Sequence, residues 1–514
     1  MSAAQKLVRN ITANWVGFAV RALVAFFLTP FVLAKLGPVQ FAVWAVVLSL
    51  TGYYGLFNLG FRASLTQYLT RYLALEDYDQ MNRSASTGFF SCLCVGVVVM
   101  FVSITLALIA PFVFDIPPEL VSEVRWAIVI VGGGAALQFP FYVFTSVFPS
   151  TQRYDLSNLI GITIRIAQAA AIVFALVQET GLVGVAVAVF VTNLLEYVIR
   201  WRVALRILPQ LSIQWSLVAL GSFREFISYG LWNSVINGAT LIITQSDLIL
   251  IGIMLPVAAI TPHALAAGLM GQVHGLLVPA ASVFFPIATH LHAKEKSDAL
   301  AQLFLHGSRF LFCISALAVC VGVYHAAAFF QLWIGDENID PDFVSPATIF
   351  AVLAAATLVG AGKRIGNQVL MGAKRLRVLA CLTTTEAICN IVFSVVFSLR
   401  YGLIGIAYGT LVSAFLVSSI GNATAVCRYL DISAYRYVTT VIIRPIIFSF
   451  AIWMTCSMLD SVLPAPSSWT WLVARGAIVC LFAIPLLFWV GFDRSDRKRF
   501  EPVLRKFRLE GIVA

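Results

Sequence analysis

Long apolar windows recur from one end of this chain to the other. Each is long enough to cross a bilayer as an α-helix, which needs about 20 predominantly apolar residues. Charged residues make up only 11% of the 514 residues, against about 25% in a soluble domain, so they are too few to cover a water-facing surface. The sequence therefore predicts an all-α polytopic membrane protein. A β-barrel would instead show short segments of alternating polarity.

About fourteen transmembrane helices are predicted, since each window meets the length needed to span a bilayer. The candidate spans are roughly 14–36, 41–61, 87–114, 126–149, 158–178, 182–204, 226–248, 264–289, 306–331, 345–368, 378–399, 402–426, 437–459 and 468–491. The first run is too long for a cleavable signal peptide.

Spans 1–6 and 7–12 resemble each other in plan. Trp15 and Trp232 lie near the starts of spans 1 and 7, and the second span of each half leads into a polar loop. Repeated halves are common in transporters, which place the substrate path at the interface of the repeats. We expect two six-helix bundles related by pseudo-symmetry, followed by two additional helices and a basic tail. The expected bounds are 1–204, 205–436, 437–492 and 493–514.

The net charge of +10 is distributed as in a membrane protein rather than a nucleic-acid-binding protein. With the N-terminus inside, most Lys and Arg residues fall in the even-numbered connections and the termini. Only Lys35, Arg125 and Arg400 fall in the opposite loops. This positive-inside asymmetry predicts that both termini are cytoplasmic. The basic tail is interpreted either as an amphipathic helix on the inner leaflet or as a solvated segment.

Several spans carry polar residues at helical spacing, and the candidate site is drawn from them. Spacings of three and four residues place Asn158, Arg165 and Gln168 on one face of span 5, and Asn193, Glu196 and Arg200 on one face of span 6. The predicted cavity residues are Arg21, Arg165, Asn14, Asn233, Asn237, Lys363 and Arg364, and the candidates for ion coupling are Asp247, Glu196 and Glu386. Glu196 precedes Arg200 by four residues, the favourable order for an ion pair. Charges within a bilayer are costly and normally face a partner or a water-filled cavity.

Two interpretations of these residues remain open at this stage. The cations could converge on a central cavity that attracts an anion, because arginine donates two parallel hydrogen bonds to phosphate. Alternatively, Arg21, Arg165, Lys363 and Arg364 could snorkel to the inner interface. The polar stripe of span 7 could also be interhelical hydrogen-bond glue. No metal-ligand spacing, cofactor motif or catalytic arrangement is evident, so a transporter is expected rather than an enzyme.

The N-terminal third, "NWVGFAVRALVAFFLTPFVLAKLGPVQFAVWAVVLSLTGYYGLFNLGFRASLTQYLTRY" (14–72), resembles a known family. The resemblance rests on Pro30, Leu36-Gly37, Trp44 and Asn58-Leu59-Gly60, followed by Ser64 and Tyr68. Further similar stretches are "TQRYDLSN" (151–158), "QSDLILIG" (245–252), "WIG" (333–335) and "YGLIGIAYGTLVS" (401–413). The resemblance is to the polysaccharide-exporter and O-antigen flippase (Wzx-type) branch of the multidrug/oligosaccharidyl-lipid/polysaccharide exporter superfamily.

The resemblance implies two six-helix bundles with a central cationic cavity and no cofactor. It implies a polyprenyl-diphosphate-linked oligosaccharide as substrate, moved from the inner to the outer leaflet of the bacterial cytoplasmic membrane by alternating access. The product would be O-antigen, capsule or exopolysaccharide. Besides the substrate and membrane lipids, a polymerase or chain-length regulator is a candidate partner, and no nucleic acid is expected. Arg21 matches the general position of a span-1 arginine in related peptidoglycan-precursor flippases.

Rival functions are a multidrug/cation antiporter of the same superfamily and a peptidoglycan-precursor flippase. An antiporter of cations would favour acidic cavity residues, whereas cations outnumber carboxylates within these spans. A membrane-embedded glycosyltransferase would need a sizeable extracytoplasmic loop, and no predicted loop is long enough.

Overall fold

The computed structural model describes residues 3–58, 60–218, 220–335, 341–464 and 466–487. Within these ranges it describes all side chains except those of 3–15 and 220–231. The expected tail at 493–514 lies outside the described residues. Within the described ranges the regular secondary structure is helical throughout, which confirms the predicted all-α class.

The α-helices are numbered in chain order. They are α1 (Ala3–Gly52), α2 (Phe61–Ala74), α3 (Tyr78–Val113), α4 (Val121–Ser150), α5 (Tyr154–Val177), α6 (Gly181–Ile207), α7 (Leu220–Met254), α8 (Ile260–Ser282), α9 (Phe284–Ala293), α10 (Ser297–Tyr324), α11 (Ala326–Ile334), α12 (Pro346–Val359), α13 (Ala361–Gly372), α14 (Leu376–Tyr401), α15 (Leu403–Ser413), α16 (Asn422–Tyr429), α17 (Ala434–Tyr437), α18 (Ile443–Val462) and α19 (Trp469–Leu486). Two π-helical segments, Ala414–Gly421 and Val438–Ile442, continue α15 into α16 and α17 into α18.

Twelve helical segments of the described chain are long and apolar enough to cross a membrane. A thirteenth is formed by α12 and α13 together, which meet at a bend of 42°. The first segment, Val16–Asn58, contains two of the predicted spans, because α1 runs through a kink at Gly37. Gly37 has a φ of 74°, which a residue without a Cβ adopts at little cost. Counting the two arms of α1 separately gives the fourteen spans predicted from the sequence.

Contacts between residues divide the chain into two compact units, Met1–Thr261 and Pro262–Ala514. The first unit contains α7, which packs against α1, α2 and α3. From the repeat in the sequence, α7 was expected in the second bundle. The expected bundle bounds remain predictions.

The same kind of turn follows several helices in both units. The turns α2–α3 and α4–α5 of the first unit, and α9–α10 and α13–α14 of the second, each place a non-glycine residue in the left-handed region, namely Glu76, Gln152, Glu295 and Lys374. In each turn this residue and the next donate back to the preceding helix: Gln152 N–H to Pro149 O (3.0 Å), Arg153 N–H to Phe148 O (2.8 Å), Lys374 N–H to Met371 O (3.1 Å) and Arg375 N–H to Leu370 O (2.8 Å). This is the Schellman pattern that satisfies the last carbonyls of a helix. The same pattern also ends α5, at Glu179, so it is a common way for helices of both units to end.

The two additional helices, α18 and α19, pack on α10 through Cys313, Phe448 and Val479. Arg475 of α19 is fully buried and forms an ion pair with Asp460. Its Nη2 also donates to the carbonyl oxygens of Leu463 (2.6 Å) and Pro464 (2.5 Å). Carbonyls at a helix C-terminus lack intrahelical partners, so Arg475 caps the end of α18. This cation has a structural role.

Candidate functional site

A cavity of about 530 Å³ lies within the first unit, where α1, α5 and α6 pack together. Its polar lining consists of Arg21 and Trp44 from α1, Ser157, Asn158, Arg165 and Gln168 from α5, and Asn193, Glu196 and Arg200 from α6. The helical spacing in the sequence had placed most of these residues on shared faces, and the structure brings those faces to one cavity. The volume lies within the range of about 300–1,000 Å³ that is usual for ligand pockets.

Arg21 and Arg165 present their guanidinium groups to this cavity, and both side chains are exposed. Arg165 Nη1 donates to Oε1 of Gln168 at 3.0 Å. Arg21 makes no hydrogen bond or ion pair with any residue whose side chain the structure describes. Both arginines therefore keep donors that a ligand can use.

Gln168 links Arg165 to the neighbouring helix. Its Nε2 donates to Oγ1 of Thr192 at 3.2 Å and to Oδ1 of Asn193 at 3.4 Å. Because its amide nitrogen is held in this way, its amide oxygen faces Arg165. The contact orients one edge of the guanidinium group and adds no negative charge.

Arg200 is held very differently from the other two arginines. Its Nε donates to Oε1 of Glu196 at 2.7 Å, Nη1 donates to Oγ of Ser157 at 3.0 Å, and Nη2 donates to the carbonyl oxygen of Ser157 at 3.3 Å. The guanidinium group also lies 5.6 Å from the centroid of the Phe148 ring. Arg200 therefore ties α6 to the start of α5, and its charge is balanced by Glu196.

Small residues leave room for two of these guanidinium groups. A Cβ added to Gly17 would stand 3.6 Å from Nη1 of Arg21, and one added to Gly161 would stand 3.6 Å from Nη2 of Arg200. Both distances are ordinary van der Waals separations, so alanine would fit at either position and only a longer side chain would compete with the guanidinium group.

The balance of charge around the cavity is positive, with three arginines against one carboxylate. An excess of arginines in a cavity attracts anions and repels cations. Phosphate groups suit them because the guanidinium fork matches two phosphate oxygens. The chemistry available is binding and orientation of an anionic group.

The remaining candidates of the first unit lie elsewhere or are not described. Asn233 is half-buried and Asn237 is exposed on α7, and neither lines this cavity. Asp247 is buried on the same helix, within electrostatic range of Tyr53. The side chain of Asn14 lies outside the described residues. The predicted roles of these four residues stay predictions.

In the second unit, Lys363 and Glu386 form an ion pair that links α13 to α14. Arg364, the next residue on α13, is close enough to interact electrostatically with Glu386. Lys363 was predicted to be a cation of the substrate cavity, whereas in the structure its ammonium group already has a carboxylate partner. Whether cations of both units serve one cavity stays a prediction.

The ion pair between Glu196 and Arg200, predicted from their spacing of four residues, is present in the structure. Another ion pair of these sites was missed at the level of sequence. The Lys363–Glu386 pair joins residues of two different spans, so no spacing rule could have indicated it.

Comparison with solved structures supports the two-bundle fold. The chain superposes on "Lipid II flippase MurJ, inward closed conformation" with a TM-score of 0.64 at 12% identity, covering 92% of this chain and 98% of that one. It superposes on the inward-facing conformation of a multidrug resistance MATE family transporter of the MOP superfamily with a TM-score of 0.62 at 14% identity, covering 80% and 96% of the two chains. At such low identity these likenesses show the fold alone.

Comparison with known sequences is more specific. "Uncharacterized membrane protein EpsK" of Bacillus subtilis (strain 168) is 21% identical over 520 residues, which cover 98% of each chain. Residues 7–292 match the family described as "Polysaccharide biosynthesis protein". That match extends over more than half of the sequence and includes every residue that lines the cavity. The chain therefore belongs to the polysaccharide biosynthesis protein family.

Proposed function

We propose that this protein is a flippase for a polyprenyl-diphosphate-linked oligosaccharide. It moves the polar head from the inner to the outer leaflet of the cytoplasmic membrane by alternating access, in the synthesis of a cell-surface polysaccharide. The sugar-diphosphate head enters the cavity while the lipid chain stays in the bilayer. No covalent step is required, because substrate and product differ only in the leaflet that they occupy.

The observation that carries this proposal is the pair of available arginines in a polar cavity between membrane-spanning helices. Arg21 and Arg165 line the cavity with exposed guanidinium groups, and Glu196 is engaged by Arg200. A diphosphate offers the oxygens that such guanidinium groups bind best. Asn158 and Asn193 add amide groups suited to sugar hydroxyls.

Family membership supports the polysaccharide part of the proposal, and the fold supports the transport part. The matching family is one of polysaccharide biosynthesis, and one of the solved structures that share the fold is named Lipid II flippase MurJ. Lipid II flipping and O-antigen, capsule or exopolysaccharide export would make similar demands on the cavity. The test below therefore separates them by the molecule that accumulates.

A multidrug exporter is the second candidate, because a MATE transporter shares the fold. The cavity of the first unit favours the flippase, since its excess positive charge would repel cationic drugs.

The test is depletion of this protein in its native cell, followed by mass spectrometry of lipid-linked sugars. A membrane-impermeant glycosidase or phosphatase, added from outside, reports which leaflet holds the lipid-linked sugar. We expect a polyprenyl-diphosphate oligosaccharide to accumulate and to resist the enzyme, and expression of the wild-type protein to restore access.

Two other outcomes would redirect the assignment. Accumulation of the peptidoglycan precursor alone would make the protein a flippase of that precursor. Unchanged lipid-linked sugars together with altered tolerance to cationic drugs would overturn the proposal in favour of drug export.

A further inference from the structure

The second unit contains a buried carboxylate whose two oxygens are both occupied. Glu386 of α14 has 5% of its surface exposed. Lys363 Nζ donates to its Oε2, and Ser418 Oγ donates to its Oε1 at 2.6 Å. A lysine of the protein itself thus stands where a dissolved cation could otherwise bind.

The surroundings of this pair are positively charged. Arg364 lies within electrostatic range of Glu386, and its Nε is buried without a hydrogen bond to any described residue. His274 of α8 lies near both cations of α13, and its Nε2 is 2.9 Å from Oγ1 of Thr357. The site thus has one carboxylate and two cations, so a bare metal ion would meet net repulsion.

Three further polar or charged groups lie on elements near α13. The hydroxyl of Tyr437 would lie 2.7 Å from a Cβ added to Gly362, so it approaches the backbone of α13 closely. From α10, which also packs on α13, comes Arg309, whose Nη2 is 2.8 Å from Nδ1 of His306. These groups add no second carboxylate beside Glu386.

The partners of Glu386 sit on irregular helical elements that meet each other. Lys363 follows the bend between α12 and α13, and Ser418 belongs to the π-helix Ala414–Gly421. The bend and the π-helix are in contact, because a Cβ added to Gly360 would stand 3.6 Å from Cβ of Ser418. Broken helices and π-turns recur at functional sites of membrane proteins. A change of the bend would therefore move Lys363 and Ser418 relative to Glu386.

We propose that Glu386 exchanges Lys363 for a proton when the angle between α12 and α13 changes. When Lys363 withdraws, it keeps its ammonium protons, and the stranded carboxylate takes one proton from water to form a neutral carboxyl group. When the pair re-forms, that proton returns to water. A buried carboxylate without its partner is strongly unfavourable, so proton uptake accompanies the movement. One proton is thus bound and released in each cycle of the bend.

This inference deepens the proposed function, and its transport test rests on that function. The proton step itself can be measured without transport. The test uses infrared difference spectra of the purified full-length protein at neutral pH, where a protonated buried carboxyl group gives its own band. We expect K363M to show a new band that the double variant K363M/E386Q lacks, and K363R to show none. A folded K363M without the band would overturn the exchange, because Arg364 would then have taken over the carboxylate.

The second readout covers the case in which K363M does not fold. E386Q preserves side-chain shape and is tested in vesicles with a short-chain polyprenyl diphosphate that carries one tagged N-acetylhexosamine. We expect an imposed pH gradient to accelerate flipping by the wild type but not by E386Q. D460N, which removes the carboxylate of the Asp460–Arg475 pair in the same unit, is the matched control and keeps the acceleration. An E386Q protein that keeps it overturns the inference. A wild type that moves no probe overturns the proposed function instead, while the infrared result still decides the proton exchange.

Discussion

Arg165 and Arg200 differ in how many of their guanidinium donors the protein itself occupies. Arg200 uses Nε and both Nη groups on Glu196 and Ser157, whereas Arg165 uses Nη1 on Gln168. A carboxylate balances the first charge, and a neutral amide orients the second. Residue type alone would give both arginines the same role. Their hydrogen-bond partners distinguish them: Arg200 links two helices, whereas Arg165 keeps donors for a ligand.

The first prediction concerns the contribution of Arg21 and Arg165 to the affinity for a diphosphate-linked sugar. Replacing either by Ala removes hydrogen bonds to a charged ligand, which are worth about 1.5–3 kcal/mol. Binding of a short-chain polyprenyl-diphosphate sugar to the purified protein should weaken roughly 10- to 150-fold. Isothermal titration or fluorescence anisotropy would measure it.

The matched control for this prediction is R202A. Arg202 is an exposed arginine of α6 that lies against the Trp201 ring and does not line the cavity. Its replacement should leave the affinity unchanged. Equal binding by R21A, R165A and wild type would mean that these arginines only reach toward the membrane surface.

A second prediction at this scale concerns His325, which directly follows the membrane-spanning segment Ser297–Tyr324; this segment ends before residue 331, the predicted end of the span. Burial lowers the pKa of His325 below its usual 6.5, Arg475 lowers it further, and Asp460 partly opposes them. As the pH falls below 6.5, the unfolded chain takes up a proton that the folded protein does not bind. The folded state should therefore lose stability as the pH falls from 6.5 toward the lowered pKa.

Thermal unfolding of the purified protein across this pH range is the measurement. H325Q should flatten the loss of stability on acidification, whereas H290Q, at an exposed position of α9, should not. An unchanged slope in H325Q would contradict the account of His325.

At the scale of elements, the close approach of α14 and α15 sets a steric limit. A Cβ on Gly409 would overlap the backbone N and Cα of Ser394, while Ser394 Oγ donates to Ile406 O at 3.2 Å. Backbone atoms cannot turn aside as a side chain can. G409A should lower stability by about 1–3 kcal/mol or more, as overpacking does.

The melting temperature of purified G409A is the direct readout. G476A on α19 is the control, because a Cβ there meets nothing within 4 Å. A G409A protein as stable as G476A would show that the two helices separate at no cost.

Features within one helix could be predicted from the sequence, whereas features that depend on packing between helices could not. Spacing along one helix correctly grouped Asn158, Arg165 and Gln168 on one face, because α-helical periodicity is local. The bend between α12 and α13 and the π-helix at Ala414–Gly421 were not predicted. Both depend on packing between spans, as does the pairing of Lys363 with Glu386.

At the scale of the whole molecule, the fold class followed from the solvent that the chain must face. In a bilayer, backbone N–H and C=O groups must form hydrogen bonds within the protein, and an α-helix forms them within one segment. Long apolar windows in a chain with few charges therefore predict membrane-spanning α-helices, and the structure contains them. The boundary between the two compact units is harder to predict, because the extent of a unit depends on contacts between helices. The first unit extends to Thr261 because α7 packs with α1, although the repeat had suggested an earlier division.

The central claim is that a cationic cavity carries a diphosphate-linked sugar across the membrane, and flipping in reconstituted vesicles tests it most directly. The probe is a short-chain polyprenyl diphosphate with one tagged N-acetylhexosamine, and an impermeant enzyme added outside removes the sugar only from the outer leaflet. With wild-type protein, the enzyme should reach the whole probe pool. With R21A/R165A, or with empty vesicles, it should reach only the fraction that starts outside. Equal access in wild-type and R21A/R165A vesicles would contradict the account.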